Sequence, residues 1–153
     1  MLRDAIRSLF TRAEDPSPTY AAPDPIAIAA CALLLEIAHV DASFGTEERD
    51  RIARHAREDL GVGESELAEV LHLAEEARRE SVDLYQFTKL LTEGFTREQR
   101  LRLIEAIWGV VYSDGVLSAV EGQLARRIAE LLGFQHPEVQ AARERVASRR
   151  ADS

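Results

Sequence analysis

The feature that most constrains the fold of this 153-residue chain is a helix–loop–helix pattern that occurs twice, 73 residues apart. In each copy an apolar helical segment leads to an aspartate and a loop. A glutamate seven residues after the aspartate then opens an amphipathic helical segment that ends at a glycine. The copies span residues 33–61 and 106–133. We expect them to pair about a pseudo-two-fold axis, which brings the two loops to comparable positions.

The remaining segments also have helical periodicity, with apolar residues at intervals of three and four. No window alternates strictly between apolar and polar residues. We therefore predict an all-α fold of seven or eight helices around one core. Residues 26–40 are the most apolar and form the predicted central helix, too short for a membrane span of about 20 residues. The predicted helices are 25–40, 46–60, 65–80, 83–94, 97–113, 119–132 and one from Pro137.

Proline and charge divide the chain into three predicted segments. Four of the five prolines lie between residues 16 and 25, which excludes a continuous helix there. We predict an amphipathic N-terminal arm and proline-rich linker over 1–24, a helical domain over 25–140 and a basic tail over 141–153. Asp24 and Pro25 are expected to cap and start the first helix of the domain. The final helix is expected to fray into the tail.

Composition excludes several classes of protein. The formal charge is −8, and nucleic-acid binding needs a surplus of Lys and Arg. Cys31 is the single cysteine, so an internal disulfide is impossible and a reducing compartment is expected. The first ten residues, MLRDAIRSLF, are too charged and too short for a secretory signal. We predict a cytoplasmic protein without a transmembrane segment, with Cys31 as an inert core thiol.

The second copy contains the motif D-G-x-x-x-x-x-E, Asp114 to Glu121, and this motif resembles the tellurite-resistance TerB family. The first copy, Asp41 to Glu48, is similar, with Ala42 where glycine is usual. The stretches LLLEIAHVD, DLYQFTKLL and RLIEAIWGVVYSDG also resemble this family, over about residues 25–135.

The resemblance implies an all-helical domain without catalytic activity, linked to tellurite and wider stress responses. It also implies an acidic patch for a divalent cation, Ca²⁺ or Mg²⁺. It further implies protein partners in a stress-response complex, with a peripheral position at the inner face of the membrane. The ligand positions implied in this sequence are Asp41, Glu48, Asp114 and Glu121.

Physical chemistry leaves two roles open for these carboxylates. Hard cations take several oxygen ligands, and two converging loops offer four carboxylates, whereas one loop offers two. However, a glutamate in the first turn of a helix also caps it and meets the helix dipole favourably. Helix capping alone therefore also explains Glu48 and Glu121. Under that alternative the protein is a purely structural interaction or membrane-peripheral module, recruited through its Arg-bearing ends.

A metal-dependent enzyme is the remote alternative. Two Glu-x-x-His sequences match di-iron ligand spacing, Glu36 to His39 and Glu69 to His72. The second pair is expected to face water. Glu36 is the one charge inside the most apolar helix, so a paired arginine is expected. The candidates are Arg54, Arg100 and Arg102.

Overall fold

A computed structural model describes residues 24–40, 45–81, 83–112 and 119–151, the side chains of 119–121 and 150–151 excepted. These ranges form seven α-helices and contain no strand, which confirms the all-α prediction. The predicted starts and ends agree with the observed ones to within two residues wherever both were given. The helices are α1 (Pro25–Ala38), α2 (Thr46–Glu58), α3 (Glu64–Glu80), α4 (Tyr85–Gly94), α5 (Arg97–Val111), α6 (Ala119–Leu131) and α7 (His136–Ala151).

Helix α1 is the centre of the bundle. It starts as predicted, with Pro25 in the first turn and the Asp24 carboxylate accepting a hydrogen bond from the Ile26 N–H at 2.9 Å. Eleven of its 14 residues are buried, so apolar side chains cover the whole circumference of the helix. It contacts α2, α3, α4, α5 and α6. A helix buried on every side explains why this segment is apolar without helical periodicity.

The other helices turn one apolar stripe toward α1 or α5. Helix α3 buries Val70, Ala74 and Ala77, as its periodicity predicts. Helix α5 buries Ile104, Ile107 and Trp108, so Trp108 is part of the core. Helix α5 also contacts α2, α6 and α7. The core is therefore organised around two helices, α1 and α5.

Local signals set most helix ends. Gly61 and Gly133 follow α2 and α6 with φ of +69° and +92°, the left-handed region that favours glycine. The three-residue spacing of Thr96 and Gln99 predicts a capping box, and the structure confirms it, since each side chain accepts a hydrogen bond from the other's backbone N–H. The same three-residue spacing predicts a second capping box at Asp83 and Gln86, and this prediction is wrong. Asp83 accepts from the Tyr85 N–H, but Gln86 donates to Ser81 at 3.0 Å instead.

The C-terminal helix differs from the predicted fraying tail. Helix α7 continues to Ala151, and Ala142 is fully buried within it. Arg143 Nε donates to the Tyr112 hydroxyl oxygen at 2.6 Å, and its guanidinium lies 5.3 Å from the centre of the Trp108 ring. Apolar packing and these polar contacts hold the basic segment against α5. The boundaries of the three segments, and the arm over 1–24, stay predictions.

Candidate functional site

The predicted cation ligands fall mostly outside the described residues. Asp41 lies in segment 41–44 and Asp114 in segment 113–118, neither of which the structure describes. Glu121 lies on α6, and its side chain is also outside the description. Glu48 is the one predicted ligand whose side chain is described. The cation site and the pseudo-two-fold repeat thus stay predictions.

Glu48 lies in the first turn of α2 and is only 7 % exposed. Its Oε2 accepts a hydrogen bond from the Gly45 N–H at 2.9 Å. This backbone N–H precedes the helix, and a first-turn glutamate commonly satisfies it. The contact fixes the Glu48 carboxylate at the end of the first acidic loop. The capping role weighed from the sequence is therefore present at Glu48, through one of its two oxygens.

A charged cluster joins the end of α1 to α3, just before the first acidic loop in the sequence. Arg78 lies between two carboxylates, with Nη2 2.5 Å from Glu75 Oε1 and Nη1 3.4 Å from Glu36 Oε2. Glu75 also contacts His39 Nε2 at 3.3 Å and Arg79 Nε at 3.3 Å. These contacts tie the last turn of α1 to the last turns of α3.

The charges around Glu75 set its protonation. Partial burial raises the pKa of its carboxyl group, but the hydrogen bond and charge of Arg78, with the charges of His39 and Arg79, lower the pKa below its ordinary value. Glu75 therefore stays ionised and serves as the acceptor that holds the cluster together.

The arginine partner predicted for Glu36 is wrong in its identity. Arg78 fills the role, while the Arg102 guanidinium pairs with Glu98 and the Arg100 guanidinium donates to the Leu132 carbonyl oxygen at 2.6 Å. Helix α3 packs along α1, whereas Arg100 lies near the corner between α6 and α7. The expectation that Glu36 has an arginine partner is confirmed.

The two Glu-x-x-His sequences do not form a di-iron ligand group in the described residues. His39 contacts Glu75, and His72 is 70 % exposed and contacts Glu76 at 3.1 Å. Glu69 is exposed, as predicted. Within the part of the chain that the structure describes, no group of three or more His, Cys, Asp and Glu side chains is arranged to hold a metal ion.

Cys31 is completely buried in α1. Burial raises the pKa of its thiol to about 12. A thiol that stays protonated is a poor nucleophile and a poor metal ligand. The sequence-based interpretation of Cys31 as a core residue is confirmed.

Comparison with known families decides the relationship of this chain. The family model described as "Tellurite resistance protein TerB" matches residues 27–144, which is most of the chain. This chain belongs to the TerB family. The match runs from the start of α1 into α7, so the described helical bundle is the TerB domain.

Comparison with curated proteins and with solved structures adds no relative. No curated protein and no solved structure matches this TerB-family chain. None of the helices in the described ranges has the length and hydropathy of a membrane span.

Sequence reasoning missed the role of Arg78 in this TerB domain, although a signal for it was present. Arg78 follows Ala74 and Ala77 at the spacing that places the three residues on one helix face. Since Ala74 and Ala77 are on the buried stripe, an arginine at position 78 lies at its edge and can reach toward α1. This position at the edge of the buried stripe would have added Arg78 to the candidate partners of Glu36.

Proposed function

We propose that this TerB-family chain is a non-enzymatic helical module of a stress-response assembly. Its two acidic loops hold a divalent cation, Ca²⁺ or Mg²⁺, through Asp41, Glu48, Asp114 and Glu121. The acidic face formed by these loops docks protein partners.

The observation that supports this proposal most is the packing of the helices that flank both loops. Helices α1 and α2 flank the first loop, and α5 and α6 flank the second. Helix α1 contacts α5 and α6, and α5 contacts α2. Both loops are therefore attached to one packed unit instead of to separate subdomains, which is what shared ligation of one cation requires.

Fixed carboxylates favour cation binding in such a unit. Glu48 is held in place by the Gly45 N–H, and a carboxylate can accept that hydrogen bond with one oxygen while the other ligates a cation. The charged cluster of Glu36, Glu75 and Arg78 holds the end of α1 on α3. A loop with a fixed start and a carboxylate fixed at its end loses less conformational entropy when a cation binds.

The test is calorimetric titration of chelator-treated protein with Ca²⁺, Mg²⁺ and Mn²⁺, together with melting temperatures. We expect binding and a rise in melting temperature, because a ligand that binds only the folded state stabilises it. The variant Asp41→Asn/Asp114→Asn should lose both effects. The control Asp50→Asn/Glu66→Gln removes the same charge from exposed positions on α2 and α3 and should retain them. No heat and no shift at millimolar cation would overturn the proposal.

The Glu48 cap supports a second candidate, a structural interaction module without a cation. The variant Glu48→Gln separates the two, because glutamine also accepts the Gly45 hydrogen bond but lacks the charge that a cation needs. If Glu48 ligates a cation, Glu48→Gln keeps the stability of the cation-free protein and loses stabilisation by cation. If Glu48 only caps α2, the variant has the same stability as the unmodified chain both without and with cation.

A further inference from the structure

A groove of about 480 Å³ lies between α2, α5 and α7. Its volume is in the range of small-molecule binding sites. Four arginines from three helices line it: Arg51 and Arg54 on α2, Arg102 on α5 and Arg149 on α7. Among the residues that the structure describes, no carboxylate proposed to hold the cation lines this groove. A concentration of guanidinium groups is notable on a protein whose formal charge is −8.

The carboxylates of the groove leave part of this positive charge uncompensated. Glu105 is shared, since Arg149 approaches it at 2.9 Å and Arg145 at 3.5 Å. Asp59 is hydrogen-bonded to His55, and a third carboxylate, Glu58, also lines the groove.

Two arginines of the groove remain available to a ligand. Within the described ranges, neither Arg51 nor Arg54 forms an ion pair, and both are exposed. Arg102 pairs with Glu98, which does not line the groove. The guanidinium groups of Arg51 and Arg54 are therefore the free donors of this site.

The absence of a side chain at Gly109 lets Arg51 lie close to α5 at the floor of the groove. Gly109 has no side chain, and Arg51 Nη1 lies 3.6 Å from the position that a Cβ there would take. The Arg51 guanidinium thus lies over the helix backbone inside the groove. Tyr112 also lines the groove, and its hydroxyl oxygen accepts from Arg143 at 2.6 Å, which leaves the hydroxyl hydrogen to donate to a ligand.

His55 also lies at the groove, and Asp59 fixes the orientation of its ring. Its Nδ1 lies 2.7 Å from Asp59 Oδ2, so Nδ1 carries the hydrogen and donates it to the carboxylate. The Nε2 is therefore an acceptor, and it is buried without a partner among the residues that the structure describes. Because this nitrogen is buried, His55 gives a ligand no acceptor, and the groove offers guanidinium and hydroxyl donors, which suits a small anion.

We propose that this groove binds a small phosphorylated molecule, with Arg51 and Arg54 as its principal phosphate ligands. Guanidinium groups bind phosphate oxygens with paired, charge-assisted hydrogen bonds, and Arg is the preferred residue for this geometry. Arg102 and Arg149 line the same groove from the other two helices, and Tyr112 donates to a further oxygen. A free phosphorylated metabolite and the headgroup of a phosphorylated lipid share this chemistry.

The experiment measures binding of inorganic pyrophosphate and of ATP by calorimetry in EDTA, at about 0.1 M salt. EDTA removes divalent cations, so that the acidic loops do not contribute. Sedimentation with phosphatidylcholine vesicles, with and without phosphatidylinositol 4-phosphate, tests the lipid source. The variant is Arg51→Gln/Arg54→Gln. The control is Arg57→Gln, an arginine of the same helix that contacts Glu64 and does not line the groove.

We expect pyrophosphate or ATP to bind the unmodified chain. The double variant should bind at least about tenfold more weakly, because two charge-assisted contacts are lost. The control should bind as the unmodified chain does. Binding only to vesicles with the phosphorylated lipid, lost in the same variant, would identify the lipid headgroup as the source. The absence of binding to every probe, or equal loss in the variant and the control, would overturn the proposal.

Discussion

Gly61 and Gly63 are only two residues apart in the sequence, but they differ in backbone conformation, which shows what single positions contribute. Gly61 ends α2 with φ of +69°, whereas Gly63 precedes α3 with φ of −71°. A Cβ at either position would meet no atom within 4 Å. The two sites therefore differ in backbone conformation and not in available space.

We expect Gly61→Ala to lower the free energy of unfolding by about 1–2 kcal/mol, since alanine is strained in the left-handed region. The control Gly63→Ala should change it by about 0.5 kcal/mol or less, because alanine adopts that φ freely and the lower entropy of the unfolded chain offsets its poorer helix capping. Urea denaturation followed by circular dichroism measures both. Equal effects would show that the left-handed turn is not required at Gly61.

His55 should make the folded state sensitive to mild acid. Burial lowers the pKa of its imidazole below the ordinary value of 6.5, although the charge and hydrogen bond of Asp59 act in the opposite direction. The unfolded chain therefore takes up this proton more readily than the folded one. The contribution of neutral His55 to the free energy of unfolding is fully present above about pH 6.5. It is lost as the pH drops from there toward the lower pKa of the folded state, by at most about 1.4 kcal/mol per pH unit.

NMR titration of the imidazole resonances tests this prediction directly and should give a His55 pKa below 6.5. Urea denaturation at pH 7.5 and 5.5 should show a smaller stability difference for His55→Gln than for the unmodified chain. The control His72→Gln, at a residue that is 70 % exposed, should keep the full difference. A His55 pKa at or above 6.5 would contradict the prediction.

At the scale of helices, Arg78 neutralises two carboxylates from different helices. Its side chain is only 18 % exposed, and Glu36 and Glu75 are 34 % and 20 % exposed. Without the arginine, two partly buried negative charges would face each other across α1 and α3. The cost of leaving charges unpaired exceeds that of losing an exposed ion pair.

We predict that Arg78→Gln lowers the free energy of unfolding by about 2 kcal/mol, since two charge-assisted contacts are lost in a partly buried site. The neighbouring Arg79 also contacts Glu75 but is 70 % exposed, so Arg79→Gln should cost less than about 0.5 kcal/mol. Adding Glu36→Gln to Arg78→Gln should recover part of the loss, as measured by urea denaturation. Equal losses in the two single variants would contradict this account.

The helices were predictable because their signals are local. Thr96 and Gln99 are three residues apart, and Gly61 follows the last turn that it ends, so the adjacent sequence contains what is needed. The partner of Glu36 was not predictable in the same way, since Arg78 lies 42 residues away and meets it only through the packing of α3 on α1. The groove arginines come together from α2, α5 and α7 for the same reason.

For the whole molecule, the basic C-terminal segment is the clearest difference between the prediction and the structure. A run rich in arginine suggested a solvated tail, but the segment also contains small and apolar residues at helical spacing. Ala142 is fully buried, and Val146 packs against the core. The arginines of this segment contact Glu105 on α5 and Tyr112, the residue that follows α5. Helix α7 thus completes both the core and the arginine-lined groove.

Deletion of residues 141–153 should therefore lower the free energy of unfolding by about 3 kcal/mol or more, through lost apolar burial and the unpaired Glu105. The control Arg145→Gln/Arg149→Gln keeps the helix but also leaves Glu105 without these partners, and because both arginines are exposed it should cost about 1 kcal/mol or less. Thermal and urea denaturation measure both. If the segment were a solvated tail, its deletion would leave the unfolding midpoint unchanged. A large loss on deletion with a small loss in the control would instead assign the stability to the packing of α7 on α5.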